Sequence, residues 1–411
     1  MQENIIFPKE FLFGASTSSH QVEGNNTNDW TEWEQSDKRT KYLKTSGLEE
    51  KYGLQNFISG KSCEHYNRYE DDFKMAKELG HNATRISIEW SRIEPKEGEF
   101  DEKELNHYKN AVKTIQSLGM EPFVTLYHWT LPLWVKNKKG WQNKETIDYF
   151  SRYAAKVVEH LKDDVKFWIT INEPEIYSSQ SYLLGVWPPQ QKSLVSYLRV
   201  NRNLIKGHKK AFLAIKKIQP EARVGIAKNN IYFEAYKNKI FNSLLKKGAD
   251  WWWNFYFLNK IKNHQDFIGL NFYFYNVINY GFNKNKKVNI SDLGWDLNPQ
   301  AILPVLKDLK KYHKPIYITE NGLADYMDEK RSWFILESLK SVGRAISEGV
   351  DVRGYFHWSL MDNFEWADGY WPRFGLIEID YKTMQRKIRP SALIYKDICI
   401  NKMINNQLCQ K

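Results

Sequence analysis

Three cysteines in 411 residues are too few for a stapled fold. Cys63, Cys399 and Cys409 are odd in number, lie far apart and match no metal-ligand spacing. That argues against a disulfide framework and fits a reducing cytoplasm. No run of about 18 apolar residues occurs, so no membrane-spanning helix is expected. The opening MQENIIFPKE has neither a basic n-region nor an apolar h-region, and the chain reads as soluble and unexported. The glycosylation sequons at Asn25, Asn82 and Asn289 then carry no weight. Also missing are HExxH, paired CxxC and GxGxxG, which leaves metal hydrolysis and dinucleotide redox without a foothold, and no metal or cofactor is expected. Gly60-Lys61-Ser62 resembles the tail of a phosphate loop, but Gln55 stands where its first glycine belongs. No repeat of 20 to 50 residues is visible, and low complexity is confined to Lys/Asn-rich patches.

What the chain does have is charge and aromatic surface. A formal net charge of +11 raises nucleic-acid binding. The lysines, however, are scattered through amphipathic segments, and the densest run, Asn283 to Asn289, reads as a solvated loop. Such charge reports on solubility and non-specific attraction, so neither nucleic acid nor a membrane is expected as a partner. Aromatics make up 15% of the chain, which suits either heavy core packing or a site that stacks flat apolar faces.

Helical periodicity alternates with short runs of β-formers. Tyr66, Tyr69, Phe73, Ala76 and Leu79 recur at spacings of three and four before Gly80, and Leu105, Tyr108, Val112, Ile115 and Leu118 do so before Gly119. Ile147 to Leu161 repeats the pattern. Strand-like runs begin at Phe11, Asn82, Glu121, Val165, Ala222, Asp266, Pro315 and Val352. Each is followed by a helix-capable segment, the last around Ile394 to Met403. Eight such units without a linker predict an α/β protein made of a single (β/α)8 barrel, residues 1–411 forming one domain, rather than an open doubly wound sheet.

In that architecture the chemistry sits where the strands end. The ends carry Gln21, Arg85, His128, Asn172 with Glu173, Asn271 with Tyr273, Glu320, and Trp358 followed by Glu365 and Trp366. Asn172-Glu173-Pro174 has an ordinary reading as a helix start, with Asn172 as the cap and Pro174 at the first helical position. Yet Glu173 after the fourth strand and Glu320 after the seventh stand at matching heights around a barrel mouth, and paired carboxyls are what glycoside hydrolysis needs. Ile169, Ile171 and Glu173 alternate in step, as do Ile316, Ile318 and Glu320, which predicts a shared inward aim. Gln21, His128, Asn172 and Glu365 can bond hydroxyls, and Trp358 and Trp366 offer faces for a sugar ring.

These segments resemble the glycoside hydrolase family 1 β-glycosidases, of β-glucosidase and β-galactosidase type. The likeness runs through FPKEFLFGASTSSHQVEG, RISIEWSRIEP, YHWTLPLW, TINEP, DFIGLNFY, YITENG and HWSLMDNFEWADGYWPRFGL, in family order. It implies a retaining exo-β-glycosidase that hydrolyses terminal β-D-glucosides, β-D-galactosides or both through a glycosyl-enzyme, acting on small β-glycosides and short oligosaccharides. It further implies that Glu173 is the general acid/base and Glu320 the nucleophile. Arg85 and Tyr273 would orient the nucleophile, Asn172 would bond the sugar 2-hydroxyl, Gln21, His128, Glu365 and Trp366 would hold the other hydroxyls, and Trp358 would form the stacking floor.

The resemblance has departures. The stretch between Ala227 and Asp266 is shorter than is usual, and Asn271-Phe272-Tyr273 replaces Asn-Tyr-Tyr while keeping the needed tyrosine. Trp251, Trp252 and Trp253 fall in the trimmed stretch, where helix packing competes with an aglycone platform. Two rival functions are a 6-phospho-β-glycosidase, which the resemblance associates with Ser where Glu365 stands, and a non-catalytic sugar-binding protein, which would have lost one of the two glutamates. Glucose against galactose preference and oligomeric state are not legible.

Overall fold

Each of the eight apolar runs folds as a strand in the computed structural model, which describes residues 4–405. The strands are β1 (Leu12–Ser16), β2 (Ala83–Ser87), β3 (Glu121–Tyr127), β4 (Phe167–Asn172), β5 (Arg223–Asn229), β6 (Phe267–Asn271), β7 (Ile316–Asn321) and β8 (Val352–Trp358). All pair in parallel with their neighbours in chain order, and β8 returns to β1, so the sheet closes into a barrel. Parallel strands covered on both faces read as near-continuous β-former runs, and that is why they were visible in sequence.

One side chain from every strand meets at the barrel centre: Leu12, Ala83, Phe123, Ile169, Ala227, Phe267, Tyr317 and Phe356. Residues from eight strands can touch only inside, so this cluster marks the inward phase of each. Phe123 stacks on Phe167 at 4.2 Å and meets Phe356 and Tyr317 at 4.9 and 5.1 Å. Phe123→Ala should therefore cost about 3–5 kcal/mol of stability, read by denaturant unfolding. A loss below about 1 kcal/mol would mean that the barrel centre collapses around the hole.

The expected helices surround the strands. His65–Glu78 and Glu102–Ser117 stop before Gly80 and Gly119, whose φ values of 75° and 70° supply the left-handed turn that ends a helix. Thr146–Leu161 packs against the longest helix, Leu194–Ile218. The final helix starts earlier than expected, at Pro390, because proline suits the first helical position. It ends at Asn401, and Met403 instead pairs with Ile6 in a two-stranded strap. No helix of the described residues is long and apolar enough to cross a membrane. Cys63 and Cys399 are buried free thiols, and Cys409 lies outside the described residues.

Candidate active site

β4 and β7 each deliver a carboxylate by breaking their own alternation. On β7, Tyr317 points into the barrel, while Ile316 and Ile318 belong to the apolar layer shared with the helices. Strict alternation would therefore turn Glu320 outward; the expected inward phase is corrected for Ile316 and Ile318, while Glu320 does face the cleft. The register does what alternation does not. Ile318 opposes Leu270 but Glu320 opposes the very next residue, Asn271, and on the other flank Ile318 opposes Tyr355 while Asn321 opposes His357. One extra residue on β7 re-aims Glu320, as bulges beside active sites do. β4 behaves alike: Ile169 is inside, Ile171 joins the outer layer, and the pairing slips between Ile169–Gly225 and Asn172–Ala227.

Glu173 then leaves the strand in the left-handed region, with φ of 42°. Pro174 takes the first position of the helix Pro174–Ser178, as the ordinary reading expects, but the cap is Glu173 and not Asn172. Asn172 is still the last residue of β4 and turns its side chain inward.

Glu320 is held by two donors. Arg85, fully buried, donates through Nη1 to Oε1, and the Tyr273 hydroxyl donates to Oε2 at 2.7 Å. Arg85 is itself fixed by Thr125 Oγ1 at 3.0 Å and Asn172 Oδ1 at 2.8 Å. A cation and a phenol thus converge on one carboxylate, both as hydrogen-bond donors. Glu173 has no cation at its oxygens among the described residues. Its Oε1 accepts from Asn229 Nδ2 at 3.0 Å and Asn271 Nδ2 at 2.9 Å. Burial first, and the Glu320 charge second, push the Glu173 carboxyl up to about 8. With Oε1 occupied by two donors, its proton belongs on Oε2. The site thus sets an anion facing an acid.

The surrounding polar groups are equally determined. Asn172 Oδ1 accepts from Arg85 and from Asn271 at 3.1 Å, so its Nδ2 must donate, to His128 Nε2 at 3.0 Å. His128 is neutral, its pKa pushed well below the usual imidazole value by burial and by Arg85. Its proton therefore sits on Nδ1, which has no partner among the described residues. Gln21 Nε2 donates to Phe364 O and Asn363 Oδ1 at 2.9 Å, and more distantly to Glu365 at 3.4 Å, leaving Oε1 without a donor. Burial, and then the charges of Asp368 and Glu320, push the Glu365 carboxyl well above the usual range.

These groups surround a cleft of about 640 Å³. Its wall includes His128, Glu173, Tyr273, Glu320, Trp358, Glu365 and Trp366, all expected from sequence. Gln21, Arg85 and Asn172 lie beneath the wall and act on it through hydrogen bonds. Trp366 is locked between rings, stacked on His128 at 5.8 Å and His20 at 5.3 Å. Sequence reasoning missed Asn229, Trp129 and Trp187 on the wall. Asn229 was detectable, since it closes β5, but the polar Lys228-Asn229-Asn230 reads as loop once the apolar run ends at Ala227. Trp251, Trp252 and Trp253 do not line the cleft. Trp252 stacks on Tyr256 and donates to the Tyr197 hydroxyl on the long helix, the packing alternative of the two expected.

The profile of the family described as Glycosyl hydrolase family 1 matches residues 3–261 and 242–404. Beta-glucosidase A of Thermotoga maritima is 31% identical, with 96% of this chain and 98% of that protein aligned. The beta-galactosidase of Saccharolobus solfataricus is 29% identical, over 98% and 96%. Among solved structures, the beta-glycosidase from Pyrococcus horikoshii superposes with a TM-score of 0.89 at 36% identity, covering 99% of this chain and 98% of that one. The Thermotoga maritima beta-glucosidase in complex with glucoimidazole gives 0.89 at 30% identity, covering 97% and 99%.

Proposed function

The chain belongs to glycosyl hydrolase family 1 and is a retaining β-glycosidase, and from that premise we propose an exo-acting hydrolase of β-D-glucosides, β-D-galactosides or both in which Glu173 is the acid/base and Glu320 the nucleophile. One observation carries the role assignment. Two carboxyls share one cleft, and only Glu320 is clamped by a cation and a phenol, while Glu173 is buried among amides. Environments that push two carboxyls apart assign acid and nucleophile.

In the first step Glu320 attacks the anomeric carbon while Glu173 Oε2 gives its proton to the departing oxygen, and a glycosyl ester of Glu320 forms. That ester removes the negative charge that helps hold Glu173 up. The Glu173 pKa then falls, and the same carboxyl, now ionised, takes a proton from the incoming water. His128, on the cleft wall, offers its Nδ1–H to a sugar hydroxyl, Gln21 keeps an unpaired acceptor buried just behind that wall, and Trp358 presents a face to the ring. Glu365 stands where the resemblance associates a phosphate-specific enzyme with Ser, which supports an unphosphorylated sugar. We read the chain as one catalytic unit, and the buried thiols of Cys63 and Cys399 support a reducing compartment such as the cytoplasm.

The test is aglycone release from matched aryl β-D-glucoside and β-D-galactoside. Turnover of at least one is expected, and the ratio of kcat/KM values reads the epimer preference. A 2-fluoro glycoside should leave a covalent mass increment on Glu320. Well-folded protein that turns over neither sugar, or a label on another residue, would overturn the reading.

A further inference from the structure

Two charged residues that this chemistry leaves unused sit directly behind its acid. Lys228, in β5 between Ala227 and Asn229, is completely buried. Its ammonium donates to the carbonyls of Asn229 at 2.6 Å and Trp253 at 2.7 Å, and it pairs with Glu175 at 3.1 Å. Glu175 lies two residues beyond Glu173, in the first turn of the Pro174–Ser178 helix, and its side chain is 6% exposed. Neither residue lines the cleft. Trp253 belongs to a π-helical turn, Asp250–Phe255, of the kind that marks functional sites inside helices.

The placement is paired. In front, Asn229 of β5 holds Glu173; behind, the preceding residue Lys228 holds Glu175. A buried ion pair is a poor way to gain stability, because desolvation offsets the attraction, so its position next to the acid calls for another account. We propose, on the reading of Glu173 as acid/base, that Glu175 and Lys228 are positioning residues: they clasp the ends of β4 and β5 behind the acid, and the Lys228 ammonium opposes the Glu175 charge there. The charged and titratable groups around Glu173 include Glu320 from β7 with its Arg85 partner from β2, Tyr273 after β6, Glu365 after β8, and this pair. The pair lies outside the cleft wall.

Breaking the pair one charge at a time separates this role from a purely structural one. Glu175→Gln keeps the shape and leaves Lys228 uncompensated, which favours ionised Glu173. The basic limb of kcat/KM for an alkyl β-glycoside should move down by about one pH unit. The loss should grow from almost nothing at pH ~6 to roughly tenfold at pH ~9, while a dinitrophenyl glycoside, whose departure needs no acid, is unaffected. Lys228→Met should leave the limb at or above its wild-type position. The double variant, with neither charge, should return it to the wild-type position, and it tests the balance even where Lys228→Met alone does not fold. A common limb for all variants, single variants shifting the same way, or equal losses on both substrates at every pH would each overturn the proposal. An inactive wild type, or full activity in Glu173→Gln, would instead overturn the acid/base reading beneath it.

Discussion

Replacing Glu320 with alanine is expected to lower turnover of an aryl β-glycoside by roughly four to six orders of magnitude, because it removes the atom that bonds to the anomeric carbon. Arg85 loses its carboxylate partner in the process, and stranding a buried charge normally costs about 3–5 kcal/mol. Here the guanidinium keeps Asn172 and Thr125 as acceptors, so a lowered melting temperature with a cooperative transition is the expected companion result. A rescue experiment distinguishes lost chemistry from lost structure. A small anion such as azide can enter the space left by the carboxylate and attack from the same face. With no second displacement to follow, the product has the inverted, α configuration. Rescue with a retained β product, or turnover by the variant without azide within about tenfold of wild type, would remove Glu320 from the nucleophile's place.

The eight strands were legible because a parallel barrel covers each of them on both faces, so each writes a short β-former run, and glycines with left-handed backbone mark where helices stop. The identity of the two carboxylates was legible because active sites of this architecture use strand ends. Their aim was not. Period-2 reasoning carries through a strand only while the pairing register holds, and in β4 and β7 the register slips by one residue just short of the carboxylate. Nothing in Ile316 to Glu320 announces that slip; it depends on what the neighbouring strands oppose. Asn229 was hidden for a related reason. A lysine in a strand reads as exposed, whereas Lys228 is buried by partners 25 and 53 residues away, and that burial carries β5 far enough to bring Asn229 to Glu173. Long-range pairing, in both cases, decided what local pattern left open.

Glu173→Gln is the sharper test, since it should divide the reaction into its two halves. The glutamine oxygen can still accept from Asn229 and Asn271, so the site keeps its shape while losing the transferable proton. For an alkyl β-glycoside, whose leaving oxygen must be protonated, kcat/KM should fall about 10²- to 10⁴-fold. For a dinitrophenyl glycoside the first step should survive, and the second, deprived of its base, should become limiting. A burst of released phenol and an accumulated glycosyl-enzyme would show this in a stopped-flow trace. The pH dependence carries the sign. Wild-type kcat/KM for the alkyl substrate requires the protonated form, so it should fall as pH rises through the Glu173 pKa of about 8, and this limb should vanish in the variant. Deglycosylation requires the ionised form, and the Glu320 charge that raises the carboxyl is by then tied up in the ester. The wild-type second step should therefore gain speed with rising pH around a midpoint below that of the first. An alkyl-glycoside rate within about tenfold of wild type, or a basic limb that persists in Glu173→Gln, would place the proton donor elsewhere in the cleft.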